Sequence, residues 1–203
     1  MKAIAVLAAA AVTSFASAGI VGFVGDTSLE GGWYAFEDEF GVDMTVIETD
    51  ASVYSDITSI DVPGFGTIDF PAHSVRQIGG GWATWSHGYT GKVFYNNGLT
   101  FVTYDLNMSG AYAFDAYLEP NPFAQHSFTA TAYGSGGGSV AVDFQAHGSA
   151  GASHFGFYAS GETIVSIEIQ GSADWAIGEW RVGVPAPGAL ALFGLAALRR
   201  RRR

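Results

Sequence analysis

The chain has 203 residues and no cysteine, which is enough for one domain with a substantial core, but not one held together by disulfides. Nineteen acidic residues face nine basic ones, for a formal net charge of −10. Because contacts to phosphates need clustered Lys and Arg, this composition argues against a nucleic acid or an anionic membrane as the partner of the domain.

The N-terminus has the three parts of a secretory signal peptide. Lys2 supplies the charge, an apolar stretch runs from Ala3 to Val12, and Ala16-Ser17-Ala18 precedes Gly19. A small-residue pattern of the A-x-A type after such a stretch is typical of a signal-peptidase site. We therefore expect residues 1–18 to be a signal helix that is removed between Ala18 and Gly19 during export.

The stretch from Gly25 to Asp50 is acidic and irregular, and it contains a candidate calcium loop. Asp26, Ser28, Glu30 and Glu37 occupy positions one, three, five and twelve of a calcium-loop spacing, with Gly31 at the turn position. The flanking helices of an EF-hand are not predicted here. The alternatives are an acidic surface loop after a first strand pair, or an N-terminal flap. Calcium bound at this loop is the one cofactor that the sequence suggests.

An aromatic cluster formed by Trp82, Trp85 and Tyr89 is the candidate for glycan contact, because flat rings stack on sugars. Trp82 and Trp85 are three positions apart, so on one strand they would face opposite sides and only one would be exposed. Core packing is the default interpretation of both tryptophans.

Period-two alternation of apolar residues predicts antiparallel strands with one buried face. The expected inward sets are Tyr112, Phe114, Ala116 and Leu118; Phe128, Ala130 and Ala132; Val140, Val142, Phe144 and Ala146; and Val165, Ile167 and Ile169, with Trp180 and Val182 completing the domain. Asn96-Asn97-Gly98 tolerates positive φ and predicts a tight hairpin between Phe94-Tyr95 and the strand that follows.

The fold expected from this pattern is all-β. We predict a single antiparallel β-sandwich or jelly-roll-like domain over residues 19–183, flanked by the N-terminal signal helix and a short C-terminal hydrophobic helix.

No catalytic motif is evident in the sequence. The five histidines lack H-x-x-x-H and H-E-x-x-H spacing, and no G-x-S-x-G occurs. A Ser-His-Asp triad would have to be assembled from distant positions; Ser86-His87 lies in a predicted turn. Glu119 and Glu179 have aromatic surroundings and are the carboxylates considered for a glycosidase pair, against a default of surface or hydrogen-bonded roles. His147 and His154 are predicted to be solvated.

The last twenty residues, 184–203, have three parts. Val184-Pro185-Ala186-Pro187-Gly188 is followed by an apolar run to Leu198 and by Arg199, Arg200, Arg201, Arg202 and Arg203. Counted from Gly188, the apolar run has eleven residues. As a helix it spans about 16 Å, against a hydrocarbon core of about 30 Å. The positive-inside bias would hold the arginines in the cytoplasm. These lengths favour a segment that lodges transiently and is processed.

This tail resembles the PEP-CTERM sorting signal of bacterial surface proteins, in a Pro-Ala-Pro variant with Ala186 where glutamate usually stands. The resemblance implies recognition by an exosortase-type membrane peptidase, which would remove or transfer the tail. Gly81–Gly88, Glu119–Phe123 and His154–Tyr158 also resemble the β-rich body that often precedes such a tail. That body implies a surface domain and supplies no catalytic residues.

The two ends together predict an exported protein of the cell surface, outer envelope or extracellular matrix of a bacterium. Removing Lys2 and the terminal arginines leaves three basic residues against nineteen acids, a net charge of −16. We expect a non-enzymatic structural or adhesive role; the alternatives are a carbohydrate-binding module and a glycan-active hydrolase. The expected partners are signal peptidase, an exosortase-type sorting peptidase and extracellular polysaccharide, with transient membrane association and no nucleic acid.

Overall fold

The computed structural model describes residues 19–25 and 32–185. The signal-cleavage residues Ala16 and Ala18, the calcium candidates Asp26, Ser28 and Glu30, and the tail from Ala186 through the terminal arginines lie outside the described residues. Within the described ranges, no helix is both long enough and apolar enough to cross a membrane.

The described chain consists almost entirely of strands. In chain order the strands are β1 (Gly19–Val24), β2 (Thr45–Val46), β3 (Asp56–Val62), β4 (Gly66–Gln77), β5 (Lys92–Tyr95), β6 (Phe101–Met108), β7 (Ala113–Pro120), β8 (Gln125–Gly134), β9 (Ser139–His147), β10 (Ser153–Ser160), β11 (Ile164–Gly171) and β12 (Trp175–Gly183). A helix, α1 (Gly32–Phe40), lies between β1 and β2, in the stretch predicted as a loop or flap. The helix is followed by Gly41, whose φ of 61° is typical of a glycine that caps a helix C-terminus.

These strands form one continuous antiparallel sheet in the order β1-β10-β7-β12-β5-β4-β6-β11-β8-β9, with β2 added to β12 and β3 added to β4. The two ends of this path come together, since a Cβ on Gly22 of β1 would clash with Val142 Cγ1 of β9. The prediction of an antiparallel all-β fold is confirmed. Where the sequence suggested a sandwich of two sheets, hydrogen bonding through β4 joins the halves into one nearly closed sheet.

The turn at residues 96–98 is present, but the hairpin prediction is wrong. Asn97 and Gly98 have φ values of 56° and 88°, as the sequence indicated. The strands on either side pair with the two ends of β4 instead, β5 with Ser74–Gln77 and β6 with Gly66–Asp69. Because β4 has twelve residues, it is long enough to accept both short strands. The turn therefore connects two strands that share one partner.

The interior is filled by most of the predicted inward-facing residues, which lie in or pack against one hydrophobic cluster. Trp180 is fully buried at its centre, with ring centroids 5.2 to 6.3 Å from Phe70, Phe94, Tyr104 and Phe114. Two inward assignments are wrong. Tyr112, which precedes β7, packs against the cluster formed by Phe36, Val42 and Ala113. Val165 is 42% exposed and Ile164 is buried in its place. The cause is a register shift between Ile164 and Ser166 in the pairing of β11 with β8.

A second layer covers the outer face of the sheet at β10, β7, β12 and β5. Every residue of β7 and β12 is buried, so both faces of these strands are covered. Helix α1 covers one part through Phe36, and the segment of residues 78–91, called here the cover loop, covers the other through Trp82 and Trp85. Glycines allow this approach: a Cβ on Gly178 would lie 3.3 Å from the Trp85 ring.

We expect Trp180→Ala to lower the free energy of unfolding by about 3–5 kcal/mol, because it opens a cavity among the four aromatic rings. Urea unfolding followed by circular dichroism measures the change. Phe123→Ala is the matched control, since Phe123 is 69% exposed, and its effect should stay within about 0.5 kcal/mol. Equal effects of the two substitutions would contradict this account of the core.

Candidate functional site

Two tryptophans of the cover loop are hydrogen-bonded to two buried glutamates of the sheet. Trp82 Nε1 donates to Glu119 Oε2 at 3.1 Å, and Trp85 Nε1 donates to Glu179 Oε1 at 2.9 Å. The two tryptophans are 8% and 6% exposed, and both glutamates are buried. The candidate aromatic cluster and the candidate carboxylates are therefore parts of one arrangement, which fastens the loop to the sheet.

Glu119 lies at the end of β7 and is fully buried. Thr84 Oγ1 donates to Glu119 Oε1 at 2.8 Å, and the same hydroxyl oxygen accepts the Ala150 N–H at 3.0 Å. Burial raises the pKa of Glu119, and the hydrogen bonds from Thr84 and Trp82 only partly offset this. Glu119 is thus a buried acid held by neutral donors and has no solvent-facing surface.

Glu179 projects from an irregularity in β12. The pairing of β12 with β7 shifts register between Gly178 and Arg181, which turns Glu179 outward and Trp180 into the core. Glu179 has a φ of 54°, a left-handed conformation that is uncommon for a residue with a side chain. Such strain often marks functional sites, and here it aims a carboxylate away from the core.

A hydrogen-bonded row runs from Ser86 through His87 to Glu179. Ser86 Oγ lies 2.8 Å from His87 Nδ1, and His87 Nε2 lies 3.0 Å from both Glu179 oxygens. His87 also has a positive φ, 43°. The row contains the residue types of a hydrolytic triad, but Ser86 is only 3% exposed. A nucleophile must reach a substrate carbonyl, so the geometry favours a positioning role for these residues.

A second polar cluster lies beneath α1 and contains a buried ion pair. Arg181 Nε donates to Asp115 Oδ1 at 2.9 Å, and a second guanidinium nitrogen bonds Oδ2. His154 Nε2 lies 2.9 Å from Asp115 Oδ2, and Glu37 Oε1 of α1 lies 3.3 Å from Arg181 Nη1. The prediction that His154 is solvated is wrong, because α1 covers the outer face of β10; His147 is exposed, as predicted.

Tyr117 connects the two polar clusters. Its ring stacks on His154 at a centroid distance of 4.7 Å and lies 4.5 Å from the His87 ring. Asp115, Tyr117 and Glu119 are alternate residues of β7 and so share its outer face. The sequence pattern predicted that this face would be exposed to solvent. It is buried because α1 and the cover loop pack over it.

A cleft of about 550 Å³ opens beside Glu179, between the segment after β2 and strand β5. Its lining comprises Val46, Ile47, Glu48, Thr49, Tyr89, Gly91, Lys92, Phe94 and Glu179. Burial, together with the charges of Glu179 and Glu48, raises the pKa of Tyr89, so Tyr89 is a neutral phenol at ordinary pH. This size and mixture of apolar and polar groups are typical of small-molecule sites.

The predicted glycan and calcium residues have different outcomes. Strand alternation suggested that one of Trp82 and Trp85 would be exposed, but both are buried. Neither ring therefore has much surface on which a sugar could stack. Tyr89 lines the cleft, so a glycan contact at the cover loop would fall to this residue. Of the calcium candidates, Glu37 pairs with Arg181. Among the residues that the structure describes, no group of three or more His, Asp or Glu side chains could hold a metal ion.

Sequence reasoning missed Asp115, His154 and Arg181 as a group. The signal that could have found them is Arg181 itself, one of only two arginines outside the C-terminal cluster, together with an aspartate on an apolar strand. Comparison with protein-family models and with curated proteins finds no match for this chain.

We expect Glu119→Gln to become more stable relative to the unmodified protein as the pH rises from about 4 to 8. Because the folded-state pKa of Glu119 is raised, the folded protein binds more protons than the unfolded chain between the two pKa values. Its contribution to stability is therefore present at low pH and lost as the pH rises. Melting temperatures of both proteins across this range measure the difference.

Glu39→Gln serves as the control for this series, because it removes the same charge from an exposed position of α1. His73, whose pKa burial lowers to about 4, acts equally in all three proteins and cancels in the comparison. A Glu119→Gln difference that does not change with pH would contradict the assignment of a raised pKa.

We expect Asp115→Asn to lower the free energy of unfolding by about 3–5 kcal/mol, because it leaves the Arg181 charge buried beside a neutral amide. The matched control is Asp143→Asn on exposed β9, where the carboxylate accepts a hydrogen bond from Thr129 Oγ1 at 2.6 Å. Denaturant unfolding measures both variants. If Asp115→Asn costs no more than the control, the ion pair does not anchor this face.

Proposed function

We propose that this chain is an exported, non-enzymatic β protein that is sorted to the bacterial cell surface or extracellular matrix and has a structural or adhesive role there. The observation that carries the proposal is the agreement between the boundaries of the fold and the two targeting signals. Strand β1 begins at Gly19, the residue after the A-x-A pattern, and β12 ends at Gly183, just before the Pro-Ala-Pro motif.

Each proposed cut would leave the folded domain intact. Gly19 pairs with Ser160 in the sheet, so cleavage before it removes no strand residue of β1. At the other end, Pro185 packs near Gly110, where an added Cβ would lie 3.0 Å from Pro185 Cδ. Val184 also packs against the core. The packed domain therefore reaches Pro185, the first residue of the motif.

The maturation that we propose has three steps. Signal peptidase cleaves between Ala18 and Gly19, the domain folds outside the cytoplasm, and an exosortase-type peptidase acts at Pro185-Ala186-Pro187 while the arginines hold the tail in the membrane. The mature charge of −16 keeps such a domain soluble and repels anionic surfaces.

The placement of the glutamates supports a structural role for the polar layer. Glu119 is fully buried and Glu179 is bonded to two side chains of the cover loop. A glycosidase needs two carboxylates that flank a substrate in an open cleft, and Glu119 has no open surface. Their hydrogen bonds instead attach the cover loop to the sheet.

We expect deletion of Arg199–Arg203 to abolish processing of the tail, because the segment then has no charge to stop its transfer. Mass spectrometry of the protein from its host measures both termini. Replacing all five arginines by lysine is the matched control and should restore processing. A mature protein that starts before Gly19 or still ends at Arg203 would overturn the proposal.

A further inference from the structure

The cleft beside Glu179 has more hydrogen-bond acceptors than free donors. Lys92 Nζ already donates to Thr49 O at 3.0 Å and to Ala51 O at 2.9 Å. Tyr89 Oη donates to Lys92 O at 2.9 Å. The carboxylates of Glu48 and Glu179 and the hydroxyl of Thr49 supply acceptor sites on the same walls. A ligand that fits this cleft must therefore bring donors.

The charges of the cleft favour a cation. Its two carboxylates outnumber its one ammonium group, and two of the three N–H groups of that ammonium donate to backbone carbonyls. Glu179 accepts from Trp85 and His87, yet a carboxylate has about four acceptor positions, so it can accept a further donor. An anionic ligand would meet like charge here, within a domain that is itself strongly acidic.

The apolar residues of the cleft favour a ligand that has an apolar body as well as a charged group. Val46, Ile47 and Phe94 line the cleft together with the half-buried ring of Tyr89. A cation beside an aromatic ring gains additional attraction. The volume of about 550 Å³ lies in the range of sites that enclose a small molecule.

The geometry points to a binding site for a compact organic amine, an amino sugar or an alkyl diamine, whose ammonium group is held between Glu48 and Glu179 while its body packs on Tyr89 and Ile47. Trp85 reports occupancy, because its indole N–H is bonded to Glu179. This site does not depend on the proposed sorting.

The experiment titrates the full-length protein, at about pH 7, with four probes by calorimetry and by tryptophan fluorescence. The probes are the glucosamine disaccharide, its N-acetylated form, cellobiose and cadaverine; the three sugars differ chiefly in the substituent at one ring position. We expect saturable binding of the glucosamine disaccharide and at least tenfold weaker binding of the two uncharged sugars, since they lack the ammonium group.

Cadaverine distinguishes the two sources of the amine. Binding as tight as that of the glucosamine disaccharide supports recognition of an alkyl amine, and weaker binding supports an amino sugar. If neither amine binds saturably, or if cellobiose binds as tightly as the amines, the proposal is overturned.

Three variants distinguish the effect of the cleft carboxylates on binding from the effect of the net charge of the domain. Glu48→Gln at the exposed rim should weaken binding about three- to fivefold, and Glu179→Gln about tenfold or more. The matched control is Asp50→Asn, an exposed residue on the same segment, and its affinity should stay unchanged. Because Glu179→Gln can disturb the cover loop, the Glu48 comparison decides: equal weakening by Glu48→Gln and Asp50→Asn would overturn the site.

Discussion

The buried ion pair between Arg181 and Asp115 is the interaction on which the outer layer of this protein depends. A guanidinium removed from water is tolerated only where carboxylates and other acceptors surround it. Asp115 supplies two such contacts from the neighbouring strand, and Glu37 supplies a third from α1. The pair therefore fixes the position of the helix over the sheet, and the helix in turn keeps water away from the pair.

The polar layer is continuous from this pair to the cleft. Asp115 contacts His154, which stacks on Tyr117, and Tyr117 contacts His87, which bonds Glu179. Because each group is oriented by the next, the carboxylate at the cleft is held by contacts that begin beneath α1. The left-handed conformations of His87 and Glu179 persist because these surrounding bonds determine both residues.

The strand pattern was predictable because period-two alternation reports one buried face. Phe144 and Ala146 on β9 and Ile167 and Ile169 on β11 are buried as their spacing indicated. The burial of the outer face beneath α1 and the cover loop was not predictable. Polar residues such as Asp115 and Glu119 give the same alternating pattern whether that face contacts water or another layer. The pairing of β5 and β6 with β4 also escaped prediction, since a turn sequence specifies backbone angles and leaves the choice of partner strand open.

The position of β12 in the sheet sets the order in which the domain can form. It is the last of the described strands in chain order, yet it lies between β7 and β5, near the middle of the sheet, and carries Trp180 into the core. Pairing across such long sequence separations is slow, and here it cannot begin before β12 itself is synthesised. Until residues 175–183 have been synthesised, β7 and β5 therefore lack the strand that joins them.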